Sequence, residues 1–151
     1  GTLRALDDPS WAAYAQAVLH FAHAGTRWSL DLRADVPAAL MAHTLATLDV
    51  PAFAVLTACN PRGRPVDADE NARRTRALAD AVAGRALCEV VGASPDDRHR
   101  EPGLACAVNR PEAMRLAVAF EQSAFFWVDA AGVWLWGALL AHPPTLVAAV
   151  R

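Results

Sequence analysis

The spacing of apolar residues predicts two helices and a strand in the first third of the chain. Apolar side chains recur every three or four positions across residues 11–23, which predicts a helix there. Residues 28–32 alternate apolar and polar side chains, which is typical of a half-exposed strand. Asp35 is placed to cap a second helix, with Pro37 in its first turn and its end near residue 49.

A continuous apolar run follows over residues 52–58 and predicts a strand that is covered on both faces. After a loop over residues 60–66, Asp67 and Glu70 match a capping box, and the helix that they open is expected to end near Val82. A buried strand, a loop and a helix N-terminus in this order commonly form binding sites in α/β proteins.

The next part of the chain continues the mixture of strands and helices. Residues 87–92 and 104–108 read as strands, separated by a polar loop with prolines at both ends. A helix is expected over residues 111–122, with Pro at its first position and with Met114 and Val118 among its buried side chains.

Two aromatic segments, residues 125–128 and 133–136, flank a four-residue loop that ends in glycine, which predicts a β-hairpin. The tail from Pro143 is expected to hold one helical turn. The predicted element order is α-β-α-β-α-β-β-α-β-β. We therefore expect an α/β (α+β) fold, in which residues 1–151 form a single domain with helices packed on a mixed sheet.

Composition excludes several classes of function. The net charge of −2 provides no basic field, so neither nucleic acid nor a membrane is expected as a partner. All 14 basic residues are arginine, which excludes Schiff-base and Walker-type lysine chemistry. Three widely spaced cysteines without a C-x-x-C pair favour a reducing, cytoplasmic location over a disulfide framework or a structural zinc site. No metal and no cofactor are indicated.

The first candidate site lies at the end of the buried strand. Thr57, Asn60 and Arg62 precede a helix N-terminus, and free amides there, together with arginine, can hold a small anion such as a phosphate or a carboxylate. The alternative is a plain loop with solvated arginine, because the acidic side chains at residues 67–70 repel an anion.

A second candidate is the first turn of the following helix. Asn71 and Arg74 lie on one helical face, and Glu70 and Arg74 have the spacing of an ion pair. This face can supply polar side chains to the Asn60 loop. The alternative is a surface ion pair that contributes only about 0.3–0.5 kcal/mol.

The third candidate is the charged loop that contains His99 and Glu101. In an extended segment these two side chains point to the same side, and a histidine beside a carboxylate suits acid–base chemistry. Arg74 would then stabilise charge. The pattern lacks the further ligands of a metal site. The alternative is a charged surface loop whose residues neutralise each other.

The fourth candidate, Glu121 with Gln122, lies at a predicted helix C-terminus. An acidic side chain is unfavourable there unless it is paired, which predicts a partner such as Arg74. In the alternative interpretation Gln122 caps helix carbonyls and Glu121 is solvated.

Four short segments together resemble the bacterial domain-of-unknown-function family 3293. They are T-A-C-N-P at residues 57–61, E-N-A-R-R at 70–74, H-R-E-P at 99–102 and F-E-Q-S-A at 120–124. The resemblance covers about residues 12–140. It implies an α/β domain of the bacterial cytosol, and it implies no activity, because none is established for the family.

Two hypotheses about function follow. The first is a polar crevice that binds a small molecule or anion, with or without catalysis, formed where these polar positions flank strand ends. The second is a non-catalytic interaction module, in which the aromatic hairpin of residues 125–136 contacts a partner protein or forms a homodimer.

Overall fold

A computed structural model describes residues 9–151, in which four helices pack on one antiparallel sheet. The helices are α1 (Pro9–Tyr14), α2 (Ala38–Leu48), α3 (Ala68–Ala81) and α4 (Arg110–Ala119). The strands are β1 (Val18–His23), β2 (Thr26–Asp31), β3 (Ala52–Thr57), β4 (Ala86–Ala93), β5 (Arg100–Cys106), β6 (Ala124–Asp129), β7 (Gly132–Gly137) and β8 (Thr145–Ala149). This architecture confirms the predicted α+β class with helices packed on a sheet. The sheet is antiparallel where a mixed sheet was expected, because each strand pairs with neighbours that run in the opposite direction.

The eight strands follow the spatial order β2-β1-β4-β5-β3-β6-β7-β8, and each neighbouring pair is antiparallel. Parallel pairing within the described residues is limited to a bridge between Val36 and Val150, which follow β2 and β8 in the chain. This bridge brings the two ends of the sheet together. The sheet is therefore curled, with an inner and an outer face.

Each face of the sheet has its own apolar core. On the inner face, Leu30 of β2 and Leu135 of β7 belong to one cluster with Met41 of α2. On the outer face, Leu78 of α3 and Leu116 of α4 pack over the middle strands. Because β3 contributes side chains to both clusters, its predicted burial on both faces is confirmed.

The predicted helix over residues 11–23 is wrong beyond α1, because β1 occupies its second half. Leu19 and Phe21 are buried and alternate with half-buried neighbours, so this segment follows period two. Ala24 and Gly25 have φ values of 49° and 79°, as in the tight turns that join hairpin strands. Pairing with β2 on one side and β4 on the other fixes β1 as a strand.

The C-terminal tail forms β8, so the predicted helical turn is wrong. β8 pairs with β7 along its length. Beyond it, the Val150 amide donates to the Ala131 carbonyl oxygen over 2.9 Å, and the Arg151 amide donates to that of Val36 over 2.9 Å. These long-range backbone bonds hold the tail extended.

The first turn of α2 also differs from the prediction. Pro37 occupies the capping position without a side-chain hydrogen bond, and α2 begins at Ala38. Asp35 does not cap the helix, since its carboxylate pairs with Arg151 over 2.9 Å. The predicted helix end near residue 49 is confirmed by a left-handed Asp49.

One boundary, in β5, and one burial pattern, in α4, differ from their predictions. β5 begins at Arg100 rather than Leu104, because it pairs with β4 through the charged segment. In α4, Val118 is 44% exposed, whereas Ala113 and Ala117 are buried, so the buried stripe of the helix lies on a different face from the predicted one.

Two local predictions are confirmed. The Asp67 carboxylate accepts a hydrogen bond from the Glu70 amide over 2.8 Å and caps α3. The aromatic segments form the β6–β7 hairpin, closed by Ala130 and Ala131. No helix within residues 9–151 is long and apolar enough to cross a bilayer.

We expect Gly103→Ala to lower the free energy of unfolding by about 2 kcal/mol. Gly103 lies opposite Thr57 in the β5–β3 pair, and a Cβ there would overlap the backbone carbonyl of Leu56. Gly92 on β4 provides the matched control, since a Cβ there would lie 3.9 Å from the Leu19 side chain, an ordinary contact. Urea unfolding of both variants tests this prediction, and equal stability of the two would contradict it.

Candidate functional site

A cavity of about 310 Å³ opens on the inner face of the sheet, between α1 and the ends of β3, β4 and β5. Most of its wall is apolar, with Tyr14, Leu19, Val55, Phe126 and Leu135 among its side chains. The polar part of the wall consists of Thr57, Asn60, Ser94, His99 and Glu101. Predicted site residues from two separate segments, Thr57 with Asn60 and His99 with Glu101, thus meet at one end of one cavity.

Asn60 is the centre of this polar end. Its side-chain Nδ2 donates to Glu101 Oε1 over 2.8 Å. Its Oδ1 accepts from Asn71 Nδ2 over 3.0 Å and from the Val66 amide over 3.3 Å. The Asn60 amide in turn donates to Asn71 Oδ1 over 2.9 Å. This reciprocal pair of amide side chains fixes the direction of the Asn60 side chain and, through it, the Glu101 carboxyl.

The backbone at Asn60 explains why an asparagine stands there. Its φ of 50° lies in the left-handed region, which asparagine tolerates better than most residues. The chain turns there from β3 into a short 3₁₀ helix, Pro61–Gly63. A left-handed residue before Pro61 directs the loop back towards α3 and brings Asn60 beside Asn71.

Glu101 is half-buried, and removal from water raises the pKa of its carboxyl above the usual value of 4.5. The hydrogen bond from Asn60 and the nearby His99 oppose this rise. His99 lies immediately before β5 and Glu101 is the second residue of that strand, and both border the cavity. His99 is exposed and lies at the cavity mouth.

Thr57 joins the end of β3 to β5. Its hydroxyl donates to the Pro102 carbonyl oxygen over 2.9 Å and accepts from the Cys59 amide over 3.1 Å. These bonds hold the residue that follows Glu101 against the start of the Asn60 loop. Thr57 thus fixes the distance between the two sides of the polar end.

Arg74 and Gln122 lie behind the loop rather than in the cavity wall. Arg74 donates from Nε to the Ala58 carbonyl oxygen over 2.6 Å and from a terminal nitrogen to that of Phe120 over 2.7 Å. Gln122 is 5% exposed, and its Nε2 donates to the carbonyl oxygens of Cys59 and Phe120 over 3.1 Å and 3.0 Å. Both side chains fasten the loop to the end of α4, which makes them positioning residues.

Arg62 and Glu70 do not reach the cavity. Arg62 pairs with Glu121 over 3.2 Å on the surface. Glu70 pairs with Arg73, so the expected pairing of Glu70 with Arg74 is wrong. The expected pairing of Glu121 with Arg74 is present, over 3.7 Å, although Glu121 is half-exposed. The arginines of the predicted anion site are thus engaged with carboxylates and backbone.

Sequence reasoning missed the apolar wall and the Ser94 end of the cavity. Val55, Phe126 and Leu135 lie in predicted strands, and apolar strand residues look alike whether they fill a core or line a cavity. Ser94 begins the turn from β4 to β5. A serine two residues before an aspartate is a common turn signal, and here the Ser94 hydroxyl donates to Asp96 over 2.6 Å.

The aromatic hairpin has no free edge. β6 lies between β3 and β7, and β7 lies between β6 and β8. On the face of the hairpin, the Arg110 guanidinium lies 5.8 Å from the Trp127 ring centre and 5.6 Å from that of Trp136. Both strands of the hairpin are already paired on both sides, so a partner strand cannot add to its edge. The Arg110 contacts on its face are contacts within the chain.

The three cysteines are unpaired in the structure. Burial raises the pKa of Cys88 to about 11 and that of Cys106 to about 12, so both thiols stay protonated and unreactive at neutral pH. Cys59 is buried beside Thr75 and the Pro102 carbonyl. Within residues 9–151, no group of three or more His, Cys, Asp or Glu side chains is placed to hold a metal ion.

We expect the free energy of unfolding of the Glu101→Gln variant to increase relative to that of the wild type as the pH rises from below 4.5 to neutrality. Since the pKa of Glu101 is raised on folding, its contribution to stability is complete at pH values below the unfolded pKa. That contribution is lost as the pH rises through the folded pKa. Glutamine carries no such charge and still offers an oxygen to Asn60.

Urea unfolding of the wild type and the variant across this pH range measures the effect. Glu89→Gln is the matched control, because Glu89 is an exposed residue of the neighbouring strand β4. A difference between Glu101→Gln and the wild type that stays constant or shrinks with rising pH would contradict the raised pKa.

A family model described as Protein of unknown function (DUF3293) matches residues 56–125. The matched segment runs from the end of β3 to the start of β6 and contains Asn60, Asn71 and Glu101. Comparison with curated proteins and with solved structures gave no match. Over residues 56–125 the chain thus matches the DUF3293 family of unknown function, which confirms the resemblance seen in its sequence.

Proposed function

We propose that this protein binds a small molecule in the cavity beside Glu101, with the Glu101 carboxyl as the polar anchor of the ligand. The observation that carries the proposal is the hydrogen bond from Asn60 to Glu101, which aims a half-buried carboxyl at a mostly apolar cavity. A concave apolar wall with a few convergent polar groups is the usual form of a small-molecule site.

The surroundings of Glu101 support a functional role. Within residues 9–151, Asn60 is its hydrogen-bond donor and occupies Oε1, so Oε2 is available to a ligand. Half-burying a carboxyl with a single donor costs stability at neutral pH. Side chains in a cleft whose pKa values are shifted are frequent at functional sites, because binding and catalysis use charged groups that are unfavourable for folding alone.

The same arrangement would support acid–base catalysis. A carboxyl whose pKa is raised transfers protons more readily near neutral pH, and Asn60 keeps it oriented. His99, the other acid–base candidate from the sequence, borders the same cavity at its mouth. Arg74, expected from the sequence to stabilise charge, instead supports the loop through the Ala58 and Phe120 carbonyls.

The shape of the cavity restricts the ligand. A volume of about 310 Å³ lies at the small end of the range for ligand sites, so a compact molecule fits. Arg62 and Arg74 do not line this wall, and its charges therefore favour a neutral or cationic polar group over the small anion expected from the sequence. A cytoplasmic location and a single domain over residues 1–151 stay predictions; residues 1–8 lie outside the described part.

A thermal-shift screen of small fragments on the wild type, Glu101→Gln and Glu89→Gln tests the proposal. A fragment that binds the folded protein raises the unfolding temperature by mass action. We expect hits that stabilise the wild type and Glu89→Gln equally and that lose their effect on Glu101→Gln. A screen in which every hit acts equally on all three proteins would contradict the proposal.

A further inference from the structure

We propose that the ligand of this cavity is a compact primary amine, bound as an ammonium ion by Glu101 with its apolar body against Val55, Phe126 and Leu135. This inference rests on the proposed small-molecule function and specifies its ligand class. The ligand class follows from two properties of the described wall: the hydrogen-bonding groups that remain unused, and the charge of its side chains.

The two aliphatic hydroxyl groups of the wall, those of Thr57 and Ser94, have already donated their hydrogens within the protein. Thr57 donates to the Pro102 carbonyl oxygen over 2.9 Å, and Ser94 donates to Asp96 over 2.6 Å. Each hydroxyl also accepts a backbone amide, from Cys59 over 3.1 Å and from His99 over 3.1 Å. Neither hydroxyl therefore has a hydrogen to offer to a ligand.

The Asn60 side-chain amide is occupied in part. Its oxygen accepts two hydrogen bonds, and one of its two hydrogens is donated to Glu101. The strongest group left for a ligand is Oε2 of Glu101, which is an acceptor when ionised. A ligand that donates several hydrogens to one point complements this wall better than one that accepts them.

The charge of the wall favours the same ligand. Among the described residues, Glu101 is the one carboxylate of this wall and no arginine lines the cavity. The arginine nearest in sequence, Arg100, pairs with Asp97. The other titratable groups on the wall are His99 and Tyr14, whereas Thr57, Asn60 and Ser94 carry none. A cation placed at Glu101 compensates the charge that burial disfavours, and a hydrogen bond between charged groups is stronger than a neutral one.

The apolar wall determines the rest of the ligand. Tyr14, Leu19, Val55, Phe126 and Leu135 surround the remainder of the cavity. An aliphatic or aromatic body gains free energy by leaving water for these side chains, whereas a strongly polar body would lose its hydration without replacement. A small amine with one apolar group meets both requirements.

The test uses three probes of one skeleton: benzylamine, benzyl alcohol and benzoate. Two-dimensional NMR titrations follow the backbone amides of Gly63, Gly92 and Gly103, which line the cavity. At neutral pH we expect benzylamine to bind about tenfold more tightly than benzyl alcohol, because of its charged hydrogen bond, and benzoate to bind most weakly. In Glu101→Gln the preference for the amine is lost, whereas the affinity for benzyl alcohol is retained.

The pH dependence gives a second readout. Benzylamine affinity should fall as the pH is lowered through the pKa of Glu101, since the protonated carboxyl no longer attracts an ammonium ion. Equal or tighter binding of benzyl alcohol or benzoate would overturn the amine inference and leave the small-molecule proposal intact. Fragments that shift the signals of these glycines, without any response to benzylamine, would likewise overturn only the amine inference. A fragment screen without a Glu101-dependent hit would overturn the small-molecule proposal itself.

Discussion

Replacing Arg74 by alanine is expected to lower the free energy of unfolding by about 3 kcal/mol. Arg74 supports the loop that carries Asn60 from behind. Its side chain is 18% exposed and reaches the carbonyl oxygens of Ala58 and Phe120 as well as the Glu121 carboxylate. Alanine leaves the Ala58 carbonyl oxygen without its side-chain donor, and it removes one of the two side-chain donors to the Phe120 carbonyl oxygen.

Arg76→Ala is the matched control, because Arg76 lies on the same helix and is exposed. Its replacement should change stability by less than about 0.5 kcal/mol. Arg74→Lys should recover only part of the loss, since one ammonium group cannot reach both carbonyl oxygens with the geometry of a guanidinium. Urea unfolding of the three variants provides the measurement. An Arg74→Ala protein as stable as Arg76→Ala would show that the loop does not depend on this contact.

Replacing Asn60 by alanine is expected to cost about 3 kcal/mol, from three lost side-chain hydrogen bonds and a left-handed backbone that alanine adopts poorly. Asn60→Gly separates the two causes, because glycine adopts a φ of 50° without strain. It should therefore lose less stability than Asn60→Ala. Equal losses in the two variants would mean that the backbone of this loop relaxes and that the left-handed conformation is unimportant.

Asn60→Asp tests the link between Asn60 and Glu101. Aspartate retains an acceptor for Asn71 and Val66 but replaces the donor to Glu101 by a second carboxylate. Two adjacent carboxylates raise the pKa of one of them, so this variant should lose more stability than the wild type as the pH rises above 4.5. Parallel pH profiles of the variant and the wild type would contradict this coupling.

The central part of the fold follows from local sequence patterns. The apolar run of β3, the Asp67 cap of α3 and the β6–β7 hairpin each depend on signals within a few residues. β1 and β8 do not depend on such local signals, because they form by pairing with segments that are distant in the chain. The apolar spacing across residues 11–23 suits a helix as well as a strand, and only β2 and β4 on either side resolve that ambiguity.

The candidate site shows a similar division. Asn60, Asn71 and Glu101 could be placed together because each flanks a strand end or a helix start, and the structure joins them within hydrogen-bonding distance. The role of Arg74 could not be predicted, since its partners are backbone carbonyl groups that every residue carries. The apolar wall was also hidden, because the sequence does not distinguish a packed core from a lined cavity.

The most direct test of a ligand site beside Glu101 is a crystallographic fragment soak of the wild-type protein. We predict that fragments collect in the cavity between α1 and β5, with a polar atom within hydrogen-bonding distance of the Glu101 carboxyl. Crystals of Glu101→Gln soaked in parallel should lose that position. Fragments that bind only elsewhere on the molecule, or that occupy the cavity equally in both proteins, would contradict the assignment of Glu101 as the anchor.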